Sequence, residues 1–374
     1  MRRRLLSIVG ALGLMTGLLS SGVAAQADNS MSDSNFQSMV NFYTAVASYG
    51  GTFCYAQPSS TTACPNLTQN TTGHNNFAIC VENSTATPTA NEACSIIQTG
   101  TGHNIAIIIQ LIRQNGAAAE TGTQDGAIDQ TTGTGSNLAA TVQVIRQQFG
   151  NRDEDPTQND RQDSSTYQTS TSGHNFKFLA QSSQQDAQST PSVGGTQNSS
   201  EHGNINQSST GVSKALAFQN QHQGLTGGGP QHQSIDPRCC STQGTNTSNV
   251  FQITQRADQH GDGTPVQNSS TIGECDSTGQ CTIDQTATSN AGSHHNHTIC
   301  TPGVFCATGI VCTAAACTPC TPSEGGCSTV GLAPIARPSG YGMVAVRGSV
   351  FASSRSASGY AGVARSAPGA ALLT

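Results

Sequence analysis

A recurring frame of amide residues constrains the fold of this chain more than any other feature. In its first clear copy, Gln98 is followed by five residues, Asn104, five residues, Gln110, three residues and Gln114. The third position of the frame recurs at 110, 143, 181, 219 and 255, at intervals of 33, 38, 38 and 36 residues. Structureless polar sequence does not keep such a frame. The sequence therefore predicts a protein built from stacked repeats.

The copies of the frame differ in quality. In the first, Gln69 and Asn75 match, but Val81 stands where Gln is expected. The segment from 197 to 204 reads as half a unit, and the copies around 267 and 285 are degenerate. Lys177 interrupts the copy from 168 to 181, because it would place a cation inside. The predicted amide ladder comprises Gln98, Asn104, Gln110, Gln130, Asn137, Gln143, Gln168, Asn175, Gln181, Gln219, Gln243, Asn249 and Gln255.

Within each copy the side chains alternate with a period of two. Asn104, Ala106, Ile108 and Gln110 fall on one face of a predicted strand. A Gly-His-Asn turn precedes that strand, and a longer polar return such as 151–166 follows each unit. If the units stack as coils about 4.8 Å apart, an amide in one coil can bond to its equivalent in the next, because it carries both a donor and an acceptor. The sequence thus predicts an all-β, parallel β-solenoid.

The composition supports a thin, amide-rich interior. Leu, Ile, Val and Phe account for 63 of 374 residues, about 17%, and charged residues for only 10%, with a net charge of −6. This is too few large apolar residues for a conventional core. It argues against a typical large enzyme domain, a nucleic-acid binder and a multi-span membrane protein. Carboxylates are not grouped at one strand position, so we expect neither an enzyme nor a cofactor.

The N-terminus predicts export. Three arginines at 2–4, an apolar stretch at 5–19 and small residues up to 27 have the layout of a secretory signal peptide. The alternative is an uncleaved membrane anchor, and no later run is long enough to span a membrane. We therefore expect a secreted protein, extracellular or at the cell surface, with no membrane span after signal cleavage.

Fourteen cysteines behind a signal peptide indicate disulfides. They form three clusters of even number, so we expect pairing mostly within clusters, although connectivity does not follow from sequence. The candidate disulfide cysteines are Cys54, Cys64, Cys80 and Cys94; Cys239, Cys240, Cys275 and Cys281; and Cys300, Cys306, Cys312, Cys317, Cys320 and Cys327.

Two further motifs stand outside the repeats. The run from His294 to Cys300 carries metal-ligating side chains, but a polar loop beside a disulfide is the other interpretation, and the sequence leaves the two open. Cys317 and Cys320 have redox spacing without a βαβ pattern nearby, which favours a structural pair. The predicted organisation is a signal peptide at 1–27, an N-terminal flank at 28–65, the repeat solenoid at 66–296, a cysteine-rich segment at 297–327 and a disordered basic tail at 328–374.

The pattern of Gln98, Asn104, Ala106, Ile108 and Gln110 resembles the curlin repeat, the unit of secreted bacterial amyloid fibres on cell surfaces. The resemblance covers roughly residues 66 to 260, and the cysteines and the C-terminal region lie outside it. It implies a structural protein that forms or decorates surface or matrix fibres. Its partners would be further copies of itself and an envelope or matrix polymer. A monomeric secreted binding solenoid, such as an adhesin or an ice- or polysaccharide-binding protein, is the alternative.

Overall fold

The computed structural model of the protein describes residues 51–56, 64, 66–116, 119–150, 154–188, 194–227, 229–244, 246, 248–262, 264–276, 280–289, 293–300 and 305–313. All seventeen secondary-structure elements of this part of the chain are β-strands. They are β1 Thr52–Ala56, β2 Leu67–Thr71, β3 Asn76–Ser84, β4 Thr89–Gly100, β5 Asn104–Asn115, β6 Ala119–Thr132, β7 Asn137–Phe149, β8 Thr157–Ser170, β9 Asn175–Gln188, β10 Gly195–Ser209, β11 Ser213–Thr226, β12 Pro230–Gln243, β13 Val250–Gly261, β14 Thr264–Asp276, β15 Gln280–Ser289, β16 Ser293–Cys300 and β17 Phe305–Thr313.

The strands alternate between two parallel sheets. One sheet takes the nine odd-numbered strands in chain order, and the other takes the eight even-numbered strands. Each strand therefore pairs with the strand two places later in the chain, always in parallel. A chain that crosses from sheet to sheet at every turn is a solenoid, with the two sheets enclosing its interior. The predicted parallel β-solenoid is confirmed.

The turn between the sheets explains the repeated glycines. Neighbouring turns stack so closely that a Cβ on Gly135 would lie 2.0 Å from the carbonyl oxygen of Gly102. At Gly173 it would lie 1.7 Å from the carbonyl oxygen of Gly135. Only glycine allows backbone to approach backbone at this distance. The turn thus fixes where each coil begins, and with it the register of the strand that follows.

The predicted polar returns are strands, which corrects the sequence interpretation. The supposed return at 151–166 contains most of β8, and the supposed half unit at 197–204 lies within the fifteen-residue strand β10. The copies around 267 and 285 lie in β14 and β15, where Gln267 is in register with Gln233 and Gln285 with Gln255. These strands have few apolar residues, but a neighbour on each side satisfies their backbone hydrogen-bonding groups. Ladder pairing, rather than hydrophobicity, therefore holds them.

The stack extends beyond the predicted limits of 66 and 296. At one end β1 pairs with β3, and at the other β16 and β17 pair with β14 and β15. The run from His294 to Cys300 is therefore strand rather than loop, since it lies in β16. The predicted signal peptide, the predicted tail at 328–374 and Cys317, Cys320 and Cys327 lie outside the described residues.

The interior is narrow, and its apolar residues form small clusters. Ile108 and Ile253 are fully buried, each in a separate apolar cluster. The opposite face of β5 is apolar as well, and there Ile107 and Ile109 are only 3% and 2% exposed. The uninterrupted run from Ala106 to Ile109 thus has both of its faces buried, as such runs do in parallel sheets. None of the described residues forms a helix long and apolar enough to cross a membrane.

Two disulfides close the N-terminal end of the solenoid. Cys54 pairs with Cys64 and Cys80 with Cys94, at sequence separations of 10 and 14. Pairing in this cluster is therefore local, as expected. The sulfurs of Cys64 and Cys80 also lie within 4.8 Å of each other and of a Glu82 carboxylate oxygen. Because both sulfurs are in disulfides, they are not the thiolates that bind metals, and this cluster is a staple.

Candidate functional site: buried amide columns

A column of glutamines runs through the interior of the odd-numbered sheet. Register pairing joins Gln110, Gln143, Gln181, Gln219, Gln255 and Gln285, one from each successive strand. In every step the later Nε2 donates to the earlier Oε1, at 2.8 to 2.9 Å. All six side chains are buried, at most 2% exposed. The copy that Lys177 interrupts is thus a regular coil of the stack, since its Gln181 belongs to the column.

Each amide also bonds to the opposite sheet. The Nε2 of Gln143 donates to Gln110 within the column and also to the carbonyl oxygen of Asp163, which lies on the other sheet, at 2.8 Å. Gln219 donates in the same way to the carbonyl oxygen of Glu201 at 2.8 Å. One side chain therefore links two coils along the stack and two sheets across it. Because both N–H donors of the buried amide are occupied, the hydrogen bonds offset its cost of desolvation.

Two other predicted columns are present. On the even-numbered sheet, Gln130 donates to Gln98 and Gln168 donates to Gln130, both at 2.8 Å. Gln243 is in register with Gln207 at the far end of that column. The asparagines Asn76, Asn104, Asn137 and Asn175 bond in the opposite direction, because each earlier Nδ2 donates to the later Oδ1.

Two positions of the predicted ladder differ in the structure. The Asn76 pairing with Asn104 places Glu82, rather than Val81, level with Gln110. The asparagine of the first copy is therefore Asn76 and not the predicted Asn75. At the other end Asn249 precedes β13 and accepts the backbone N–H of Ser213 on its Oδ1. It is buried but does not continue the asparagine column, because Ser213 has no amide to pair with it.

Three further columns of amide and carboxyl side chains line the interior. The first corresponds to the fourth position of the repeat frame. The other two lie in strands that the sequence predicted as polar returns, and only the regular spacing of their residues could have indicated them. The columns are Gln114, Gln147, Gln185, Gln223 and Gln259; Glu92, Gln124, Gln162 and Glu201; and Glu120, Gln158, Gln197, Gln233 and Gln267.

Carboxylates begin three of the glutamine columns. Gln110 donates to Glu82 at 2.8 Å, Gln124 donates to Glu92 at 2.8 Å, and Gln158 donates to Glu120 at 3.1 Å. The direction of the bonds explains this placement, because the first group in each column only has to accept. Burial, opposed by the Gln124 bond, raises the pKa of Glu92 to about 8. The interior therefore holds ionisable groups that the sequence did not reveal.

Lys177 is the one lysine of the described residues that points inward. Its side chain is fully buried at a position that is alanine in the coils on either side, Ala139 and Ala215. Its Nζ donates to Thr141 Oγ1 at 2.6 Å. Burial lowers the pKa of Lys177 to about 7. The expected conflict of a cation inside the solenoid is thus reduced, because the amine can be accommodated in its neutral form.

No protein-family model matches this chain, and no curated protein or solved structure matches it either. The resemblance of the repeats to curlin therefore stays a prediction from the sequence.

A shallow pocket lies outside the columns, on the outward face of the even-numbered sheet. Its lining includes Asp125, Asp163, His202, Asn204 and Arg238. His202 Nδ1 lies 3.3 Å from Asp163 Oδ1, within a file of charged side chains along the stack. The pocket offers carboxylate, imidazole, amide and guanidinium groups to a ligand. The pocket is therefore a candidate functional site in addition to the amide columns.

Proposed function

We propose that this chain is a curlin-like, secreted structural protein that forms or decorates extracellular fibres by stacking coils from neighbouring copies. The observation that carries the proposal is the glutamine column from Gln110 to Gln285, in which every coil repeats the bonds of the one before. The bonding pattern of such a column does not limit the number of coils that it can join. An added coil with an inward glutamine at the same register would extend it by the same hydrogen bond.

The ends of the stack supply the second argument. Among the described strands, β1, β2, β16 and β17 each have one neighbour, whereas each of the remaining strands has two. Edge strands of parallel sheets are templates for further strands. Natural proteins shorten exposed edges, and these four have five to nine residues against 9 to 15 in the strands between them. We interpret the short ends as a control on when stacking occurs.

The test uses the full chain that follows the predicted signal peptide. Growth seeded with preformed fibres should give fibres whose diffraction shows spacings of about 4.8 Å along the axis and about 10 Å across it. Dye binding should follow the same time course. A chain that stays monomeric at high concentration, with and without seeds and in both redox states, would contradict the proposal.

The alternative, a monomeric binding solenoid, is favoured by the outward pocket. Asp163 and Arg238 would hydrogen-bond the hydroxyls of a polysaccharide, and the file geometry suits an extended polymer. Ice binding has less support. Thr99, Thr131 and Thr169 form one outward file, but the neighbouring file contains Asp129 and Tyr167 rather than threonine. Retention on polysaccharide columns, lost in Asp163→Ala, would favour this second function.

A further inference from the structure

Glu201 ends the column that begins at Glu92, at a position where the other columns have a glutamine that donates a hydrogen bond. It is in register with Gln162, which is in register with Gln124, which follows Glu92. The bonds run in one direction: Gln124 donates to Glu92, and Gln162 donates to Gln124, both at 2.8 Å. The Oε1 of Gln162 should then accept from the group in the next coil. That group is Glu201, where the column pattern has glutamine.

The side chains on both sides of this junction lack the bond that the column pattern calls for. The Oε1 of Gln162 is buried without a hydrogen bond, and no side chain donates to either carboxyl oxygen of Glu201. The backbone N–H groups of Ser183 and Asn220 favour the ionised form of Glu201, but burial outweighs them. Neither side chain is exposed to solvent. An ionised carboxylate has only acceptors, so it would place acceptor against acceptor at Gln162 Oε1 and leave that oxygen without a donor. A protonated carboxyl group has one O–H donor, which is the group that Gln162 Oε1 lacks.

Among the described residues, no cation faces Glu201. From β8 it faces Asp160, whose carboxylate accepts hydroxyl hydrogens from Ser183 of β9 and Ser199 of β10. From β11, Gln219 bonds its backbone carbonyl, and from β12 its register partner is Pro237. Lys177, the buried amine of β9, donates to Thr141 instead.

We propose that Glu201 is a protonated carboxylic acid in the folded protein, whose O–H donates to Gln162 Oε1 in place of a glutamine amide. The junction between β8 and β10 is then a pH-sensitive point in the stack. Burial, reinforced by the charge of Asp160, raises the pKa of Glu201 well above its usual value. This inference concerns the fold of the single chain and holds whether or not the chain forms fibres.

The direction of the pH dependence follows from the raised pKa. The folded state binds this proton more tightly than the unfolded state. The stabilisation is therefore complete below the unfolded pKa and is lost as pH rises toward the folded pKa. Over that interval a single proton weakens folding by about tenfold in the equilibrium constant per pH unit. Above it, the carboxylate would face both Gln162 Oε1 and Asp160.

The experiment compares urea unfolding of the full chain with Glu201→Gln, Glu201→Met and the exposed control Glu154→Gln, from pH 5 to pH 10. Glu201→Gln should match the wild type near pH 5 and exceed it increasingly at higher pH, by about tenfold in the unfolding constant per unit. Glu201→Met removes the charge without supplying a donor, so it should remain less stable than Glu201→Gln throughout. Glu154→Gln should follow the wild type.

Infrared difference spectroscopy gives a readout that a purely structural role would not move. The carbonyl band of a protonated carboxylic acid at pH 7 should be present in the wild type and reduced in Glu201→Gln. The proposal is overturned if this band is unchanged and the two pH profiles coincide. It is also overturned if Ca²⁺ or Mg²⁺ stabilises the wild type and not Glu201→Gln, because the site would then bind a cation through an ionised carboxylate.

Discussion

The Nε2 of Gln143 donates to the Oε1 of Gln110 across 2.8 Å, although 33 positions of sequence separate the two residues. Gln181 then donates to Gln143, so the middle amide is both donor and acceptor within one column. This relationship makes the column sensitive to single substitutions. A residue that lacks the amide group interrupts the chain of bonds on both of its sides.

Gln143→Leu should therefore destabilise the fold by at least about 2 kcal/mol, because the Oε1 of Gln110 and the Nε2 of Gln181 each lose a buried partner. Gln148 is the matched control. It lies on the same strand but is exposed, so Gln148→Leu should change the free energy of unfolding by no more than about 0.5 kcal/mol. Urea unfolding followed by circular dichroism measures both. Equal effects would show that the column bonds contribute nothing particular.

A charge on the inner face should prevent the coils from forming. Ile108 is fully buried, whereas Ile97, on the neighbouring strand of the other sheet, is 38% exposed and points outward. Ile108→Lys buries an unpaired ammonium at a cost of several kcal/mol. We expect it to abolish both folding and seeded fibre growth, while Ile97→Lys leaves both nearly unchanged. Growth of the Ile108→Lys chain at the wild-type rate would contradict the placement of this residue inside the solenoid.

The odd-numbered strands were predictable because their inner face differs in character from the turns around it. Asn104, Ala106, Ile108 and Gln110 combine aliphatic side chains with amides at a fixed spacing. The similar intervals between copies then indicated that successive units stack in parallel. The parallel solenoid followed from these residues alone.

Only the ends of the even-numbered strands, with Gln98, Gln130 and Gln168, were predictable, because over the rest of each strand the two faces are equally polar. In β8 the inward Gln158, Gln162 and Ser164 alternate with outward Asn159 and other polar residues, so hydropathy has no period of two. Their position comes from pairing with strands that are 25 to 39 residues away in sequence. That information is in the register of the stack and not in the local pattern.

Buried ionisable groups were missed for a different reason. Sequence reasoning treated Lys177 as a break in the stripe, since a charged amine cannot be buried alone. A buried lysine can instead lose its charge, and a sequence pattern does not show this. Glu201 presents the same situation with the opposite sign, in a position where its neutral form resembles glutamine.

Lys177 provides a second pH-dependent prediction. Its folded pKa is lowered, so the folded state binds this proton more weakly than the unfolded state. The resulting penalty is absent above the unfolded pKa of about 10.5, grows as pH falls and is complete below about 7. Lys177→Met should thus be more stable than the wild type at pH 7, with the difference shrinking by about tenfold in the equilibrium constant per unit toward pH 10.

Lys214, the other lysine of the chain, is the control for that experiment. It is exposed on β11, so Lys214→Met should leave the pH profile of unfolding unchanged. The measurement is the urea midpoint from pH 6 to pH 10 for the three proteins. A wild-type profile that runs parallel to that of Lys177→Met would show that the buried amine has an ordinary pKa.

The disulfides at the N-terminal end should control access to the edge of the stack. Cys54 of β1 is level with Cys80 of β3, and their partners are Cys64 and Cys94. Reduction removes two short covalent loops, which should cost about 2–4 kcal/mol for each bond. The five-residue strands β1 and β2 have one neighbour each, so we expect them to detach first. Their loss would leave β3 and β4 as longer, unpaired edges.

We therefore expect reductant to shorten the lag before fibre formation, measured by dye binding and seeded growth of the mature chain. The double variant Cys54→Ser/Cys64→Ser should shorten the lag without any reductant, because it releases the first coil alone. Adding reductant to that variant should shorten the lag further, since Cys80–Cys94 still holds the second coil. Thiol titration at each step verifies which bonds have opened. A lag that is the same in the oxidised, reduced and variant proteins would show that these disulfides stabilise the chain without gating its ends.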